Sequence, residues 1–436
     1  MLTCGLLGRH LRHSYSPEIH AMLYPYSYVL FEKEPEEVGD FLRAGDWDGL
    51  NVTIPYKKDA YAAMDVLGDD ALHAKSVNTI VHLPDGRLFG DSTDVYGFKM
   101  MVKHSGINVS GEKVLILGTG GASYAVIAAL RDLGAGEIIA VSRDPGKVKD
   151  ASSDPAEAGK APTVQGVRVC SYEELTEHRD VAVVVNATPV GMYPDNGKSP
   201  LDLSPFPALK GVFDLIYNPS RTAILLQAEA MGIPYSNGLY MLVAQAKRSA
   251  EIFTGEELDD GLIDVIHAKL RDKLGNIALI GMPGVGKTTA AEKIARATGR
   301  TFFDTDEEIR KRYGETRAQL IWSRGEKEFR RIETEVLADV TRQSHAVIAT
   351  GGGSVTREEN YPLLHQNSRI VWLRRDLSQL STEGRPLSQA GALEEMYKVR
   401  KPMYEAFADD AADLGPVDTF LGLEKYMEKE EKGGRR

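Results

Sequence analysis

"LIGMPGVGKTTA", residues 279–290, reads as an apolar strand running into a glycine-rich turn and then a helix. Residues Gly281 to Thr288 fit the pattern G-x-x-x-x-G-K-[ST] at every position. In such a loop backbone amides cradle phosphates, Lys287 reaches the β- and γ-oxygens, and the Thr288 hydroxyl can ligate Mg2+. The stretch therefore sets an α/β nucleotide-binding fold for the back of the chain, with a nucleoside triphosphate and Mg2+ as expected ligands. It leaves the phosphoryl acceptor open. A loop of this kind usually follows the first strand of its own domain, and here residues 1–275 come before that strand. The front must be a separate unit with work of its own.

A second opening of the same type lies upstream. "KVLILGTGGASYAVIAALRDLG", 113–134, is again strand, glycine turn and helix. Gly118 and Gly120 match the dinucleotide turn, where bare backbone must approach a pyrophosphate at a helix N-terminus. Ser123 replaces the third glycine of that fingerprint and is small enough to keep helix and strand close. At the end of the next strand, "EIIAVSRD" (137–144), Ser142 and Arg143 stand where an acidic residue usually holds a ribose 2′-hydroxyl. A hydroxyl and a guanidinium suit a 2′-phosphate, hence NADP over NAD, although Asp144 beside them would repel it. Two nucleotide units are implied.

Composition bounds the rest. With 436 residues, two to four domains are expected at ~100–200 residues each. A net charge of −11 argues against nucleic acid as a main partner, because phosphate neutralisation needs a basic face. Cys4 and Cys170 have no metal-ligand spacing and fit a reducing compartment. "MLTCGLLGRHLRHS" has no long apolar core, and no run approaches the ~18 apolar residues of a membrane helix, so a cytoplasmic, soluble protein is expected. "IHAKLRDKLGN", 266–276, is polar and helical and reads as a joint between the units. The segment 142–166 reads as an exposed loop, and the tail "MEKEEKGGRR" as a charge run that frays.

About 107 residues precede the dinucleotide unit, too many for a decoration, and a substrate domain is expected there. Its informative stretches are "SYSPEIH" (14–20), "GLNVTIPYKKDA" (49–60), "SVNTIV" (76–81) and "GDSTDVYGF" (90–98). Each sets hydroxyls, amides or a charge beside a turn residue, and Lys57 falls just past a strand end, where function often sits. Together with "VNATPVGM" (185–192), "FDLIYNPSRTAILLQAEAMG" (213–232) and "NGLYMLVAQAKRSAEIFTG" (237–255), they resemble shikimate dehydrogenase over roughly residues 3–262. The resemblance implies polyol contacts at Ser14, Ser16, Thr53, Lys57, Asn78, Asp94, Tyr217 and Gln245. Lys57 and Asp94 are implied as the catalytic pair, without deciding which transfers the proton. It also implies NADP contacts at Gly118, Gly120, Gly121, Ala122, Ser142, Arg143 and Gly238. The chain departs from the family's usual Asn-Thr-Asp at Ser92-Thr93-Asp94, and from its usual Asn-Arg-Thr at Ser142-Arg143-Asp144.

Behind the phosphate loop, "FFDTDEEI" (302–309) ends an apolar run with Asp304 and Asp306, which at i and i+2 on a strand end would share a face. "RGEKEFRRIE" (324–333), "ATGGGSVT" (349–356), "EGRPLS" (383–388) and "VRKPMY" (399–404) follow. Arginines in three of these point to an anionic ligand, and the triple glycine would let a ligand meet bare backbone. In this order they resemble shikimate kinase over roughly 276–425. The resemblance implies substrate contacts at Asp306, Arg330, Gly351, Gly352, Gly353 and Arg400, with Arg330 and Arg400 on a carboxylate and Asp306 on the acceptor hydroxyl. ATP contacts are implied at Gly284, Gly286, Lys287, Thr288, Thr289 and Arg385, and Mg2+ at Thr288 with Asp304 through water. Arg385 would sit in a closing lid.

The expected fold class is α/β throughout. A substrate-binding α/β domain (1–107, completed by helices near 238–265) and a Rossmann-like NADP domain (108–237) would be followed by a helical joint (266–275). A P-loop small-kinase domain (276–436) would end the chain. The expected partners are small molecules, dehydroshikimate and shikimate, with neither nucleic acid nor membrane. Two other readings are a quinate-type dehydrogenase fused to a related small-acid kinase, and a ligand sensor without turnover.

Overall fold

Buried strands closed by glycine turns build three separate sheets. The computed structural model describes residues 1–11, 14–148, 162–380 and 390–414. The first sheet has six strands in the order Ser27–Glu32, Thr3–Gly8, Gly49–Val52, Thr79–His82, Leu88–Asp91 and Val66–Leu67. Gly49–Val52 is buried at every residue, as a strand covered on both faces should be. Leu7, Leu50, Val52 and Ile80 share one core with Val38, Leu42 and Tyr56.

The second sheet has seven strands, in the order Tyr235–Asn237, Gly211–Asp214, Val183–Asn186, Lys113–Leu117, Glu137–Val141, Val167–Cys170 and Thr163–Val164. All pairs are parallel except the last. Val114 and Ile116 pack into one core, while Leu115 and Leu117 pack into another. Both faces are packed, so "VLIL" (114–117) is a continuous apolar run with no polar alternation. Strand Lys113–Leu117 lies between Val183–Asn186 and Glu137–Val141, so the chain leaves its end at the point where strand order reverses. Such crevices are where open α/β sheets bind ligands.

The third sheet is parallel throughout, in the order Thr301–Asp304, Ala346–Ala349, Asn276–Ile280, Ser368–Arg374 and Asp410–Asp413. Its first strand in sequence, Asn276–Ile280, is again central, which sets the phosphate loop at that sheet's reversal point.

The chain divides into two compact units. The first comprises Met1–Val190, Lys198–Tyr217 and Ile224–His267, and holds the first two sheets. The second comprises Ala268–Arg436 with two short stretches, Gly191–Gly197 and Asn218–Ala223. The division falls inside the helix Gly261–Leu274, so the joint read at 266–275 is the C-terminal part of a helix that begins at Gly261, with Gly275 just beyond its end.

The segment read as loop, 142–166, holds two elements among its described residues, a 3-10 turn at Pro145–Lys147 and a short strand. Thr163–Val164 pairs antiparallel with Val167–Cys170 through Gln165 and Gly166, at φ 51° and 71°. A two-residue turn with both φ positive matches strand twist. Gln at the first position hid it, since Asn or Asp is the usual signal. Residues 149–161, 381–389 and the tail from 415 lie outside the described residues. Among the described residues no helix is long and apolar enough to cross a membrane.

Candidate active sites

In "GLNVTIPYKKDA" the strand ends at Val52, and Tyr56 closes a turn by donating its N–H to the Thr53 carbonyl at 3.0 Å. Lys57 then opens the helix Lys57–Ala63. In "GDSTDVYGF" a strand ends at Asp91, the helix Thr93–Ser105 begins, and Asp94 lies in its first turn. A carboxylate there is favoured by the helix dipole. Lys57 Nζ donates to Asp94 Oδ2 at 2.5 Å, with the two side chains 17% and 14% exposed. The pair is sheltered yet reachable.

Asn78 fixes the helix that carries Asp94. Its Oδ1 accepts from the Thr93 N–H at 2.7 Å and from the Thr93 hydroxyl at 3.1 Å. The Thr93 hydroxyl also meets those of Thr79 at 3.1 Å and Ser249 at 3.0 Å, and lies 3.5 Å from Gln245 Oε1. Asn51 Nδ2 donates to Ser249 Oγ at 2.8 Å. Buried polar groups are costly unless paired, and these pair with one another. Lys57, Asn78, Asp94 and Gln245 are thus brought together. Sequence reasoning missed Asn51, Thr79, Thr93 and Ser249 as the frame behind them, because no local spacing joins residue 51 to residue 249.

Ser14, Ser16 and Tyr217 form a second group. Ser14 Oγ accepts from the Ser16 N–H at 3.2 Å, at the start of helix Ser16–Leu23. Tyr217 meets Tyr15 edge-on, ring centroids 6.3 Å apart, and burial pushes its hydroxyl up to about 12. It is therefore a neutral donor near pH 7. Thr53 turns its methyl toward Gly8, where an added Cβ would lie 2.8 Å away.

The dinucleotide turn is open above its glycines. Gly118 has φ +100°, and an added Cβ would press on Thr188 at 2.9 Å, so its own turn requires glycine. At Gly120 and Gly121 no atom lies within 4 Å of an added Cβ. Protein packing does not demand those two glycines, and the backbone there is open to a ligand. Helix Gly121–Asp132 has no side-chain cap, which leaves first-turn amides to an anion; Ala122 lies in that turn. Ser123 is buried and donates to the Gly120 carbonyl at 2.6 Å, which explains a small hydroxyl residue in place of the third glycine. Arg143 is exposed. The exposed Asp144 carboxylate pairs with Lys147 at 2.7 Å, which sets a cation beside the charge that opposed a 2′-phosphate. These residues fit NADP. Gly238 has a different explanation: a Cβ there would clash with the Leu215 carbonyl oxygen, so the protein's own backbone requires it.

In the second unit, Gly281, Gly284 and Gly286 have φ of 146°, 84° and 101°. Lys287, 8% exposed, donates its Nζ to the Gly281 and Met282 carbonyls at 2.9 and 3.1 Å. Thr288 and Thr289 follow in the first helical turn. Thr288 Oγ1 donates to Asp304 Oδ2 at 2.7 Å. A hydroxyl and a carboxylate side by side are hard oxygen donors that suit Mg2+ together with nucleotide phosphates.

Asp304 and Asp306 do not share a strand face. The strand stops at Asp304, which caps the next helix by accepting from the Asp306 and Glu307 N–H groups at 2.9 and 3.3 Å. Asp306 sits in that helix's first turn, and its Oδ1 lies 3.7 Å from where a Gly351 Cβ would be. Helix capping overrode the strand period.

Each residue of the triple glycine is needed by a different neighbour. A Cβ on Gly351 would clash with Glu333, one on Gly352 would lie 2.8 Å from Pro283, and one on Gly353 would clash with Arg330. The bare backbone that sequence reasoning reserved for a ligand is thus met first by the chain's own side chains. Arg330 Nη1 pairs with Glu333 at 2.6 Å, both buried. Burial pushes the Glu333 carboxyl up, against the pull of Arg330. Arg400 Nη1 and the Tyr404 hydroxyl both donate to the Gly352 carbonyl, at 2.9 and 2.7 Å. Burial lowers the Arg400 guanidinium. Asp306, Arg330, Arg400 and the three glycines therefore converge on one wall. Glu333 and Tyr404, which hold it, were missed. Arg385 lies outside the described residues.

Comparison with known proteins finds different families at the front and the back of the chain. A family described as "Shikimate dehydrogenase substrate binding domain" matches residues 6–80, and one described as "Shikimate kinase" matches residues 283–415. The chain is 32% identical over 275 residues to "Shikimate dehydrogenase (NADP(+))" of Clostridium perfringens, covering 61% of this chain and 97% of that protein. A solved chorismate mutase/shikimate 5-dehydrogenase fusion protein from Clostridium acetobutylicum is similar at 34% identity and TM-score 0.56, covering 62% of this chain and 98% of that one. Shikimate 5-dehydrogenase from Thermus thermophilus, in complex with NADP(H) and shikimate, is similar at 32% identity and TM-score 0.53, with 62% and 99% covered.

Proposed function

The chain belongs to the shikimate dehydrogenase family through its front and carries a shikimate kinase domain at its back, and from that premise we propose a bifunctional enzyme of two successive steps. 3-Dehydroshikimate is reduced to shikimate with NADPH, and shikimate is then phosphorylated by ATP to shikimate 3-phosphate. The observation that carries the reading is the Lys57–Asp94 contact at 2.5 Å, an acid–base pair held in place by the buried Asn78 frame.

NADPH, when bound, supplies the hydride. Lys57 and Asp94 handle the proton: the ammonium sits where the ketone oxygen gains charge, and the carboxylate orients it. Gln245 and Asn78 stand beside the pair to bind ring hydroxyls, and Ser14, Ser16, Thr53 and Tyr217 complete the substrate contacts. Gly118, Gly120, Gly121 and Ala122 take the pyrophosphate, while Ser142 and Arg143 face the 2′-phosphate. Gly238, whose missing Cβ makes room for the Leu215 carbonyl, adds a backbone contact to the cofactor.

In the second reaction ATP is the phosphoryl donor. Gly284, Gly286, Lys287, Thr288 and Thr289 hold its phosphates. Thr288 and Asp304 hold Mg2+, which when bound neutralises phosphate charge. Arg330 and Arg400 take the substrate carboxylate, planar forks being suited to it. Asp306 accepts the acceptor hydroxyl's proton against the wall of Gly351, Gly352 and Gly353, and Arg385 supplies a further cation. The domains run as 1–107 with 238–265, 108–237, and 276–436.

A coupled assay on the full chain tests this. With dehydroshikimate, NADPH and MgATP, loss of NADPH absorbance and accumulation of shikimate phosphate by mass are expected. Shikimate that stays unphosphorylated would overturn the kinase half. No oxidation of either NADPH or NADH would overturn the front.

A further inference from the structure

Arg375 follows the strand Ser368–Arg374, whose residues pair in parallel with the strand leading into the phosphate loop, Trp372 beside Ile280. The two chain segments stay close beyond the sheet. An added Cβ on Gly281 would meet the Leu373 carbonyl oxygen at 2.5 Å. Two residues past Leu373, the Arg375 Nη2 lies 4.0 Å from the Cβ position of Gly286, and no other atom comes as near. Gly286 is the loop residue whose successor, Lys287, begins the helix. The guanidinium therefore lies alongside the amides that cradle phosphate.

Two of its three guanidinium nitrogens also lack a partner among the described residues. Arg375 Nε and Nη2 are shielded from solvent with no hydrogen bond among the described residues. Other arginines of the same unit are engaged: Arg330 by Glu333, Arg400 by the Gly352 carbonyl, Arg374 by Asp413 and Arg369 by Asp410. The adjacent carboxylate, Asp376, accepts from Ser378 instead. Burial alone lowers the Arg375 guanidinium, and no anion offsets it. A guanidinium stays charged in proteins and is poorly tolerated out of water without an anion.

We propose that Arg375 is a second cation of the nucleotide site, binding a phosphate oxygen of ATP beside Gly286 while Lys287 serves the loop's other side. The proposal rests on the kinase reading of this unit. A guanidinium next to loop amides can take two oxygens of one phosphate through a rigid planar fork, which an ammonium lacks.

Titration of MgADP and MgATP into the full chain tests it, with Arg375→Gln and Arg375→Lys as variants. Arg375→Gln is expected to weaken both nucleotides about 10- to 100-fold and to raise the KM for MgATP likewise. The KM for shikimate and the reductase rate should stay within twofold. Arg375→Lys, with charge kept and fork lost, should fall between. Nucleotide affinity unchanged in Arg375→Gln would overturn the proposal. If that variant does not fold, a loss of threefold or more in Arg375→Lys supports it, and no loss overturns it. Wild-type chain that binds neither nucleotide would instead overturn the kinase reading, which keeps the two failures apart.

Discussion

Lys57 gains its chemistry from Asp94, 37 residues on, and neither residue announces the other in sequence. What the sequence showed was type and position: a lysine just past a strand and an aspartate just inside a helix. The distance between them came only from the fold. Replacing Lys57 with Ala should cut reductase turnover roughly 10²–10⁴-fold, the span of a general acid–base group, and leave shikimate phosphorylation unchanged. Parallel assays of the two rates check this. A second residue controls acid stability. His20 is fully buried, stacked on Tyr28 at 4.0 Å and bonded to Tyr26 at 2.5 Å, and burial lowers its ring to about 3. Unfolded, it takes a proton near its usual pKa of about 6.5. Its contribution is full above that value and lost as pH falls from there toward 3. At pH 5 the loss is about 2 kcal/mol. His20→Phe should flatten the fall in stability between pH 6.5 and 5 by about one proton's worth, as read by urea unfolding at several pH values.

At the scale of elements, turns and caps decided what the apolar pattern left open. The strands around Lys113–Leu117 and Asn276–Ile280 were legible because both faces are buried and glycine ends each one. The stretch 302–309 was misread because Asp304 ends the strand as a helix cap, and an apolar count does not register capping. Asp304→Asn separates its two roles. Asn caps about as well as Asp, so stability should change by less than about 1 kcal/mol. Kinase activity should fall roughly 10²-fold because the charge beside Thr288 is gone. Thermal melting and a Mg2+ titration of the kinase rate check the split. The triple glycine is a parallel case. Gly353→Ala puts a methyl against Arg330 and should lower kinase activity roughly 10²-fold through displaced substrate contacts, with the reductase unaffected. If Gly353→Ala kept full kinase activity, Arg330 would not be held by that loop.

For the whole molecule, two families' domains on one chain predict separable activities. Chains carrying Lys57→Ala and chains carrying Lys287→Ala should each stop at one step. Mixed in equal amounts, they should together convert dehydroshikimate to shikimate phosphate, because shikimate released by one chain is a substrate for the other. Product mass against time, for each variant and for the mixture, checks this; no phosphate product from the mixture would show that released shikimate is not used. The order of the units was legible from the two glycine turns. The front's substrate site was legible only through the family resemblance, because its parts lie on both sides of the dinucleotide sheet in sequence.

That last feature bears on synthesis. The hydroxyl of Ser249 ties to Asn51, Thr79 and Thr93 across separations of 198, 170 and 156 residues. Residues 1–237 can be translated, and both front sheets laid down, before the helix Leu239–Thr254 exists. Until the ribosome has released that helix, the frame behind Asn78 and Asp94 lacks its final hydroxyl. Long-range closures of this kind form late. A nascent chain stalled before residue 239 should therefore hold much of its secondary structure and no reductase activity, and the activity should appear as residues 239–254 emerge, before the second unit has been made.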